Sequence, residues 1–230
     1  MTISAVTSEK IRSNLSDRLV SRLREAVHDG VYVPGQRLIE IDIATDFDAS
    51  RGSVREALRR LAAEGIIELI PKRGAVVRKL SIKELADLFR MREALEGLAA
   101  RQAAERLTSH TLRKKFKSEI DAIELDRPEN LGGRFSEANR RLHQLIVDYA
   151  ENDLLSKTLQ QFRLPIVRLQ IRASADLAYR TQSCNEHQAI VAALLTADPD
   201  AAEAAMRAHL HAASTRVLAI AQLENRKLAA

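Results

Sequence analysis

The chain has 230 residues, of which 46% are hydrophobic and 29% are charged, and its net charge is +5 at pH 7. This balance is typical of globular proteins and excludes wholesale disorder, which needs low hydrophobicity and high net charge. The single cysteine, Cys184, excludes a disulfide scaffold and a multi-cysteine metal site. No apolar run approaches the roughly 18 residues of a membrane span, and the N-terminus lacks the apolar core of a signal peptide. We therefore expect a cytoplasmic protein with no membrane segment, whose basic charge suits a polyanionic partner.

Composition and patterning predict a mainly α-helical chain. Aromatic residues make up only 3% and tryptophan is absent, whereas good helix formers such as alanine, leucine and arginine dominate. In the first part we predict helices over residues 11–28, 38–46 and 51–64, then two strands over residues 66–70 and 75–78. Ser50 is a suitable N-cap for the third helix, Gly65 follows its end, and residues 71–74 have a hairpin composition. This order is that of a winged helix-turn-helix, and these are the only two strands that the sequence predicts.

From Ser81 onward the apolar pattern is helical throughout. Ser81 and Glu84 have the spacing of a capping box, which marks the start of the first of these helices. We predict helices over residues 81–88, 89–107, 109–126, 134–150, 152–175, 181–197 and 199–226, with a kink near Pro165. The sequence thus predicts two domains: a winged helix-turn-helix over residues 1–79 and an all-α antiparallel helical bundle over residues 80–230.

The third predicted helix carries a basic ridge beside its apolar stripe. The ridge consists of Arg51, Arg55 and Arg59, which recur every four residues. Such a ridge can read guanine edges in the major groove of DNA or clamp phosphates, and the helix start at Ser50 offers backbone donors to a phosphate. The tip of the predicted hairpin adds a second basic group, made of Lys72, Arg73 and Gly74. The alternative explanation is a solvated amphipathic helix followed by a basic turn.

Three motifs in this region resemble the GntR family of bacterial transcription regulators. They are PGQRLIE at residues 34–40, SRGSVREALRRL at residues 50–61 and RGA at residues 73–75, and the resemblance covers nearly all of residues 10–80. It implies a homodimer bound to operator DNA with inverted-repeat half-sites. It also implies DNA contacts from Arg37, Ser50, Arg51, Gly52, Ser53, Arg55, Arg59, Lys72, Arg73 and Gly74. Asp48 stands where glycine is common in the family, and Gly52-Ser53 where Thr-Pro is common, which bears on the operator sequence rather than on the class.

Three histidines of the second domain lie on the apolar stripes of three predicted helices. They are His143, His187 and His209, whereas His211 should face solvent. Buried imidazoles must either find hydrogen-bond partners or share a metal ion. Asn139 lies four residues before His143 and therefore on the same helix face. The set fits a three-nitrogen site with open positions, and the alternative is that each histidine is a hydrogen-bonded core residue.

Residues 81–215 resemble the effector-binding C-terminal domain (FCD domain) of the FadR-type branch of GntR regulators. The resemblance rests on Arg92-x-x-Leu95-Glu96, Asn139-x-x-x-His143, Glu186-His187 and His209-Leu210. It implies a divalent transition metal, zinc or alternatively nickel, held by Asn139, His143, His187 and His209. An aspartate is commoner than Asn139 at the first position, so a neutral amide predicts weaker metal binding.

The best charged candidate for binding the carboxylate of an effector is Arg92, because arginine offers a bidentate fork. The alternative role for Arg92 is a helix-surface salt bridge with Glu96, four residues later. Arg168 and Arg172 are weaker candidates of the same kind.

These features predict a ligand-responsive transcription regulator, expected to be a repressor, that acts as a homodimer and responds to a small organic acid. A different class is a metal-dependent hydrolase that carries a DNA-tethering domain. That enzyme would need a general base beside a metal-activated water. Glu186 adjoins His187, but neighbours on a helix point about 100° apart, and no other inward carboxylate is predicted beside a ligand. A constitutive architectural DNA binder is the third alternative, and it would not need the histidines.

Overall fold

The computed structural model of the protein describes residues 17–27, 29–123, 125, 133–162 and 177–229. The chain divides into two compact units, with the first boundary between Leu80 and Ser81. The prediction of a mainly helical chain with one small sheet is confirmed. Within the described ranges, no helix is both long enough and apolar enough to span a bilayer. The predicted start of the first helix, its end at His28 and the kink near Pro165 lie outside these residues.

The first unit combines three helices with a three-stranded antiparallel sheet. Helix α1 comprises residues 17–27, α2 Glu40–Asp46 and α3 Arg51–Ala63, while the strands are β1 Arg37–Leu38, β2 Ile67–Ile70 and β3 Gly74–Val77. The strand order is β1-β3-β2, with β3 in the middle. Its core includes the fully buried Leu23, Ile43, Leu61 and Ile66.

The first strand corrects the prediction of a helix over residues 38–46 and of only two strands. Arg37 and Leu38 pair with Val76 and Ala75 as an edge strand, and α2 begins only at Glu40. Leu38 is buried, which ties this short segment to the sheet. A two-residue strand is too short to show a periodicity in the sequence. It also depends on a pairing partner almost forty residues away, which no local pattern indicates.

Local signals at both ends of α3 fix its position. The Ser50 side chain accepts a hydrogen bond from the backbone N–H of Ser53, which confirms the predicted N-cap. The preceding turn places Asp48 at φ 49°, and Gly65 ends the helix at φ 70°. The face of α3 that packs on the core consists of Val54, Ala57, Leu58 and Leu61. The opposite face is therefore left to solvent.

The second unit is a bundle built around one long helix. Its helices are α4 Ile82–Arg106, α5 His110–Asp121, α6 Gly133–Ala150, α7 Asp153–Phe162, α8 Leu177–Leu195 and α9 Pro199–Ala229. Helix α4 contacts α6, α7, α8 and α9. At Gly97 a Cβ atom would lie only 2.8 Å from the Cγ of Arg207, so this glycine permits the close approach of α4 and α9.

The prediction of separate helices over residues 81–88 and 89–107 is wrong, because these residues form the single helix α4. The capping box of Ser81 and Glu84 is present at its start. No glycine or proline lies at the predicted junction, and Leu88 and Phe89 on either side of it are both buried. The helix predicted over residues 109–126 ends at Asp121, and the second half of the one predicted over residues 152–175 lies outside the described residues.

Candidate functional site

The solvent face of α3 carries three arginines, one on each successive turn. Arg51, Arg55 and Arg59 are all exposed on it. The Nε of Arg55 donates a hydrogen bond of 2.7 Å to Oε2 of Glu40 on α2, and Arg59 lies 3.7 Å from Glu56. Arg51 has no ion pair among the residues that the structure describes. The first turn of the helix therefore carries the arginine most available to a partner.

The first turn of α3 also presents backbone donors. The Ser50 hydroxyl caps the N–H of Ser53 at 3.1 Å and lies 2.9 Å from the Ser53 hydroxyl. Gly52 is exposed between them. N–H groups of a first helical turn have no intrahelical acceptor, and the helix dipole adds a partial positive charge there. This turn is suited to a phosphate.

The turn between β2 and β3 forms the second basic group of this unit. Lys72, Arg73 and Gly74 are exposed, with Lys72 at φ 64° and Gly74 at φ 84°. The Nε of Arg37 lies 4.0 Å from the position that a Cβ on Gly74 would occupy. The fold thus brings Arg37, from the edge strand, beside the wing tip. Sequence spacing alone did not predict this proximity.

Three histidines converge inside the second unit. His143 lies on α6, His187 on α8 and His209 on α9, and the exposed fractions are 5%, 1% and 4%. Their ring centroids are separated by 4.6 to 5.8 Å, and one nitrogen from each lies within 4.8 Å of the others. His211 is exposed on α9, as the helical spacing predicts. Three nitrogen atoms at this separation can act as ligands of one divalent ion.

The chemistry of these rings fits a metal. The Nε2 atoms of His143 and His187 are buried and have no hydrogen-bond partner in the described structure. A buried polar atom without a partner costs about 1–3 kcal/mol, and a metal ion would satisfy both. Burial lowers the pKa of His187 well below its usual value and that of His209 to about 4, although the hydrogen bond to Glu186 opposes the second shift. Both rings are therefore neutral at pH 7, as a metal ligand must be.

A buried carboxylate orients the first of these rings. Oε2 of Glu96 lies 2.5 Å from Nδ1 of His143, and Oε1 accepts a 2.7 Å hydrogen bond from Nε of Arg92. Burial opposes the ionisation of Glu96, but the attraction of Arg92 and His143 outweighs it and holds the pKa below its usual value. Because an ionised carboxylate only accepts hydrogen bonds, Nδ1 of His143 is the donor, and Nε2 is the ring nitrogen left to face a metal.

A second carboxylate repeats this arrangement on the other side. Nδ1 of His209 donates to Oε2 of Glu186 at 2.8 Å, and the two Nη groups of Arg216 donate to the same carboxylate at 2.8 and 2.9 Å. Burial again opposes ionisation, but these hydrogen bonds lower the pKa of Glu186 to about 2. The guanidinium of Arg216 also stacks 4.9 Å from the ring of Tyr179. Carboxylate partners of this kind orient metal-binding histidines in proteins.

Glu96 corrects the sequence prediction that no inward carboxylate other than Glu186 would lie beside a ligand. The rotation of about 100° per residue separates Glu186 from His187, but it does not prevent contact with His209 on the adjacent helix. The sequence predicted Glu96 only as a salt-bridge partner of Arg92, and it did not predict a role for Arg216. The Arg92–Glu96 pair does form, but its side chains are only 20% and 6% exposed, so it is not a surface pair. The available signal for Glu96 was its place on the alanine-rich buried stripe of α4.

Three predicted metal or effector ligands remain, and only one of them lies in the described part of the chain. Asn139 is half-buried on α6, one helical turn before His143. Arg168 and Arg172 lie outside the described residues.

Comparison with protein families gives two matches along the chain. Residues 15–77 match the gntR family of bacterial regulatory proteins, and residues 87–212 match the FCD domain. The chain is 31% identical over 232 residues to the galactonate operon transcriptional repressor of Escherichia coli K12, covering 89% of this chain and 97% of that protein. It is 30% identical over 202 residues to the HTH-type transcriptional repressor RspR of the same organism, covering 86% of each chain.

Solved structures show the same fold. E. coli McbR/YncC superposes with a TM-score of 0.68 at 19% identity, covering 88% of this chain and 96% of that one. A GntR regulator from Rhodococcus sp. RHA1 gives a TM-score of 0.67 at 21% identity, covering 89% and 97%.

Proposed function

This chain belongs to the GntR family of bacterial regulatory proteins and is a DNA-binding transcription regulator, and we propose that it is a repressor controlled by a small organic acid bound beside a divalent metal. It acts in the cytoplasm as a homodimer, on an operator with inverted-repeat half-sites about one helical turn apart. The names of two relatives, both repressors, support repression rather than activation. The observation that carries the ligand-controlled part is the convergence of three buried histidines inside the FCD domain.

On the DNA side, α3 enters the major groove from its N-terminal turn. Arg51 and Arg55 reach base edges, whereas Ser50, Gly52, Ser53 and Arg59 position the helix on the backbone. At the wing, Lys72, Arg73 and Gly74 contact the adjacent groove or its phosphates, with Arg37 beside them. Contacts to phosphates position the protein, and contacts to base edges give the sequence preference.

In the second unit, His143, His187 and His209 would hold the metal through ring nitrogens, with Asn139 as the proposed oxygen ligand. A bound Zn²⁺ or Ni²⁺ would supply a Lewis-acidic point for an effector carboxylate. Glu96 and Glu186 keep two of the rings in the tautomer that presents Nε2. The Nε of Arg92 donates a hydrogen bond to Glu96, and the remaining N–H groups of Arg92 are our candidate donors to the effector.

The hydrolase alternative has no specific observation in its favour. Both carboxylates beside the histidines bind Nδ1 atoms, on the ring side away from the proposed metal-binding nitrogens. Each is also paired with an arginine and ionised. Neither is arranged as the general base of a water held at the metal.

Arg51→Ala lowers operator affinity by about 1–3 kcal/mol if its side chain reads a base, whereas binding to random DNA changes less. The matched control is Arg60→Ala on the same helix, because Arg60 is engaged by Asp17 of α1 rather than facing solvent freely. Fluorescence anisotropy with operator and scrambled duplexes measures both. Unchanged operator affinity for Arg51→Ala would remove this residue from the recognition surface.

Lys72→Ala lowers the affinity for operator DNA and for scrambled DNA by the same factor, because a phosphate contact carries no sequence information. The slope of log affinity against log salt also falls by about 1. A salt titration of both duplexes is the measurement. A loss confined to the operator would instead assign Lys72 to base reading.

Control by effector requires linkage between the two sites. Saturating operator changes the effector affinity of the full-length protein by the same factor by which effector changes operator affinity, typically about 5–150-fold. A panel of organic acids that includes galactonate and succinate provides the probes, and calorimetry with and without operator provides the measurement. The control is the Arg51→Ala/Arg55→Ala variant, which should bind effector normally and show no operator effect. Equal effector affinity with and without operator would leave a DNA-binding protein that is not a switch.

A further inference from the structure

A carboxylate of α2 holds one arginine of the solvent face of α3. The Oε2 atom of Glu40 accepts a hydrogen bond of 2.7 Å from Nε of Arg55, which links the first residue of α2 to the second turn of α3. The other two arginines of this face have no such link to another helix among the described residues. Arg59 lies 3.7 Å from Glu56 of its own helix, and Arg51 has no ion pair there. A second helix thus sets the direction of Arg55.

This ion pair contributes little to the stability of the fold. The side chains of Arg55 and Glu40 are 60% and 37% exposed, and water and salt weaken such pairs. A negative charge at the start of α2 is favourable with or without a partner, because it suits the helix dipole. Folding alone therefore does not account for the contact between the two side chains.

The contact with Glu40 leaves one edge of the Arg55 guanidinium free. A guanidinium binds two acceptors side by side, either through Nε and one Nη or through its two Nη groups. Glu40 occupies Nε, and neither Nη group donates a hydrogen bond within the described part of the chain. The free edge matches the paired acceptors O6 and N7 of guanine in the major groove. Because the side chain is already held, it loses less conformational freedom when it binds there.

The negative charge of Glu40 has the opposite effect on binding to DNA in general. A carboxylate beside a DNA-binding helix repels phosphates whatever the sequence, so it lowers the affinity for every duplex. Where a guanine faces Arg55, the contact with the ordered guanidinium offsets this loss. Specificity is a difference between affinities, and both effects increase that difference.

We propose that Glu40 is a specificity-determining residue, which holds Arg55 end-on to a guanine of each half-site and weakens binding to other sequences. This inference rests on the base-reading role of Arg55 in the proposed function. It adds to that role the base that is read, the edge of the guanidinium that reads it and the residue that positions the side chain.

The ratio of specific to non-specific affinity of the full-length protein tests this role. The probes are a duplex that the wild type selects from a randomised library and a scrambled duplex of the same length and composition. Glu40→Ala should lower the affinity for the selected duplex about fivefold, the upper end for an exposed ion pair, whereas the affinity for the scrambled duplex should stay the same or rise. Glu56→Ala is the matched control, because it removes the same charge beside Arg55 without removing the hydrogen bond to Nε. It should leave the ratio unchanged.

Repeating the selection with the variants identifies the base. Arg55→Ala should abolish the preference for guanine at one position of each half-site, and Glu40→Ala should weaken the preference at that same position and at no other. In the Arg55→Ala background, Glu40→Ala should no longer lower the affinity ratio, because the two residues act on it together. A merely structural role for Glu40 would not confine the loss to one base.

The outcomes separate this inference from the proposed function. If Glu40→Ala lowers both affinities equally, or leaves every base preference as it is, Glu40 only joins α2 to α3 and the inference is overturned. Loss of the guanine preference in Arg55→Ala would then still support base reading by Arg55. If Arg55→Ala itself keeps every base preference, the assignment of Arg55 in the proposed function falls and the inference falls with it.

Discussion

Replacing His187 with alanine lowers the zinc affinity of the protein by more than the roughly 100-fold that loss of an outer partner of a metal site can cost. His187 contributes a nitrogen directly to the cluster, and its Nε2 has no other partner in the described structure. His143→Ala and His209→Ala should show losses of the same order, because all three rings converge on one point. Isothermal titration with zinc measures the affinity, and elemental analysis after growth in metal-replete medium measures the occupancy.

The control for this series is His211→Ala. His211 lies two residues after His209 on the same helix, but its side chain is 77% exposed and 3.9 Å from Glu93. It should keep the wild-type zinc affinity. Circular dichroism confirms that each variant remains folded. If all four variants hold zinc as the wild type does, the three histidines are ordinary core residues.

Much of the molecule could be predicted because its signals are local. The cap at Ser50, the capping box at Ser81 and the glycine after α3 are encoded within a few residues of their helices, and the structure has all three. The burial of His143 and His187 followed from the apolar stripes of their own helices. Neighbours three and four residues away define such a stripe, whatever the rest of the chain does.

The parts that could not be predicted depend on contacts between distant segments. The strand at Arg37 exists only because β3 passes beside it. Glu96 is 47 residues from His143 in sequence, and Glu186 is 30 residues from Arg216. A charged residue on an alanine-rich stripe gives no indication of its partner. The carboxylates that contact the histidines could therefore be identified only from the packing of the helices.

The second large effect is expected from Glu96→Gln. A glutamine removes the charge that balances Arg92 and leaves a partly buried guanidinium without its counter-ion. Breaking a buried pair in this way costs about 3–5 kcal/mol of unfolding free energy, and the lower end applies here because glutamine still accepts a hydrogen bond from His143. Zinc affinity should also fall about 10–100-fold, because the carboxylate no longer orients the His143 ring. Urea unfolding of the metal-free protein and zinc calorimetry measure the two losses separately.

Two further variants distinguish positioning of the ring from support of the fold. Glu203→Gln is the matched control, because Glu203 on α9 also pairs with an arginine of α4, Arg101, without touching a histidine. It should leave zinc affinity unchanged. The double variant Arg92→Met/Glu96→Gln removes both charges, so most of the unfolding free energy should return, whereas zinc affinity should stay below wild type because an amide is a poorer partner for the imidazole than a carboxylate. If zinc affinity instead recovers together with stability, Glu96 supports only the packing of α4 against α6, and the orientation of His143 is set by the apolar residues around it.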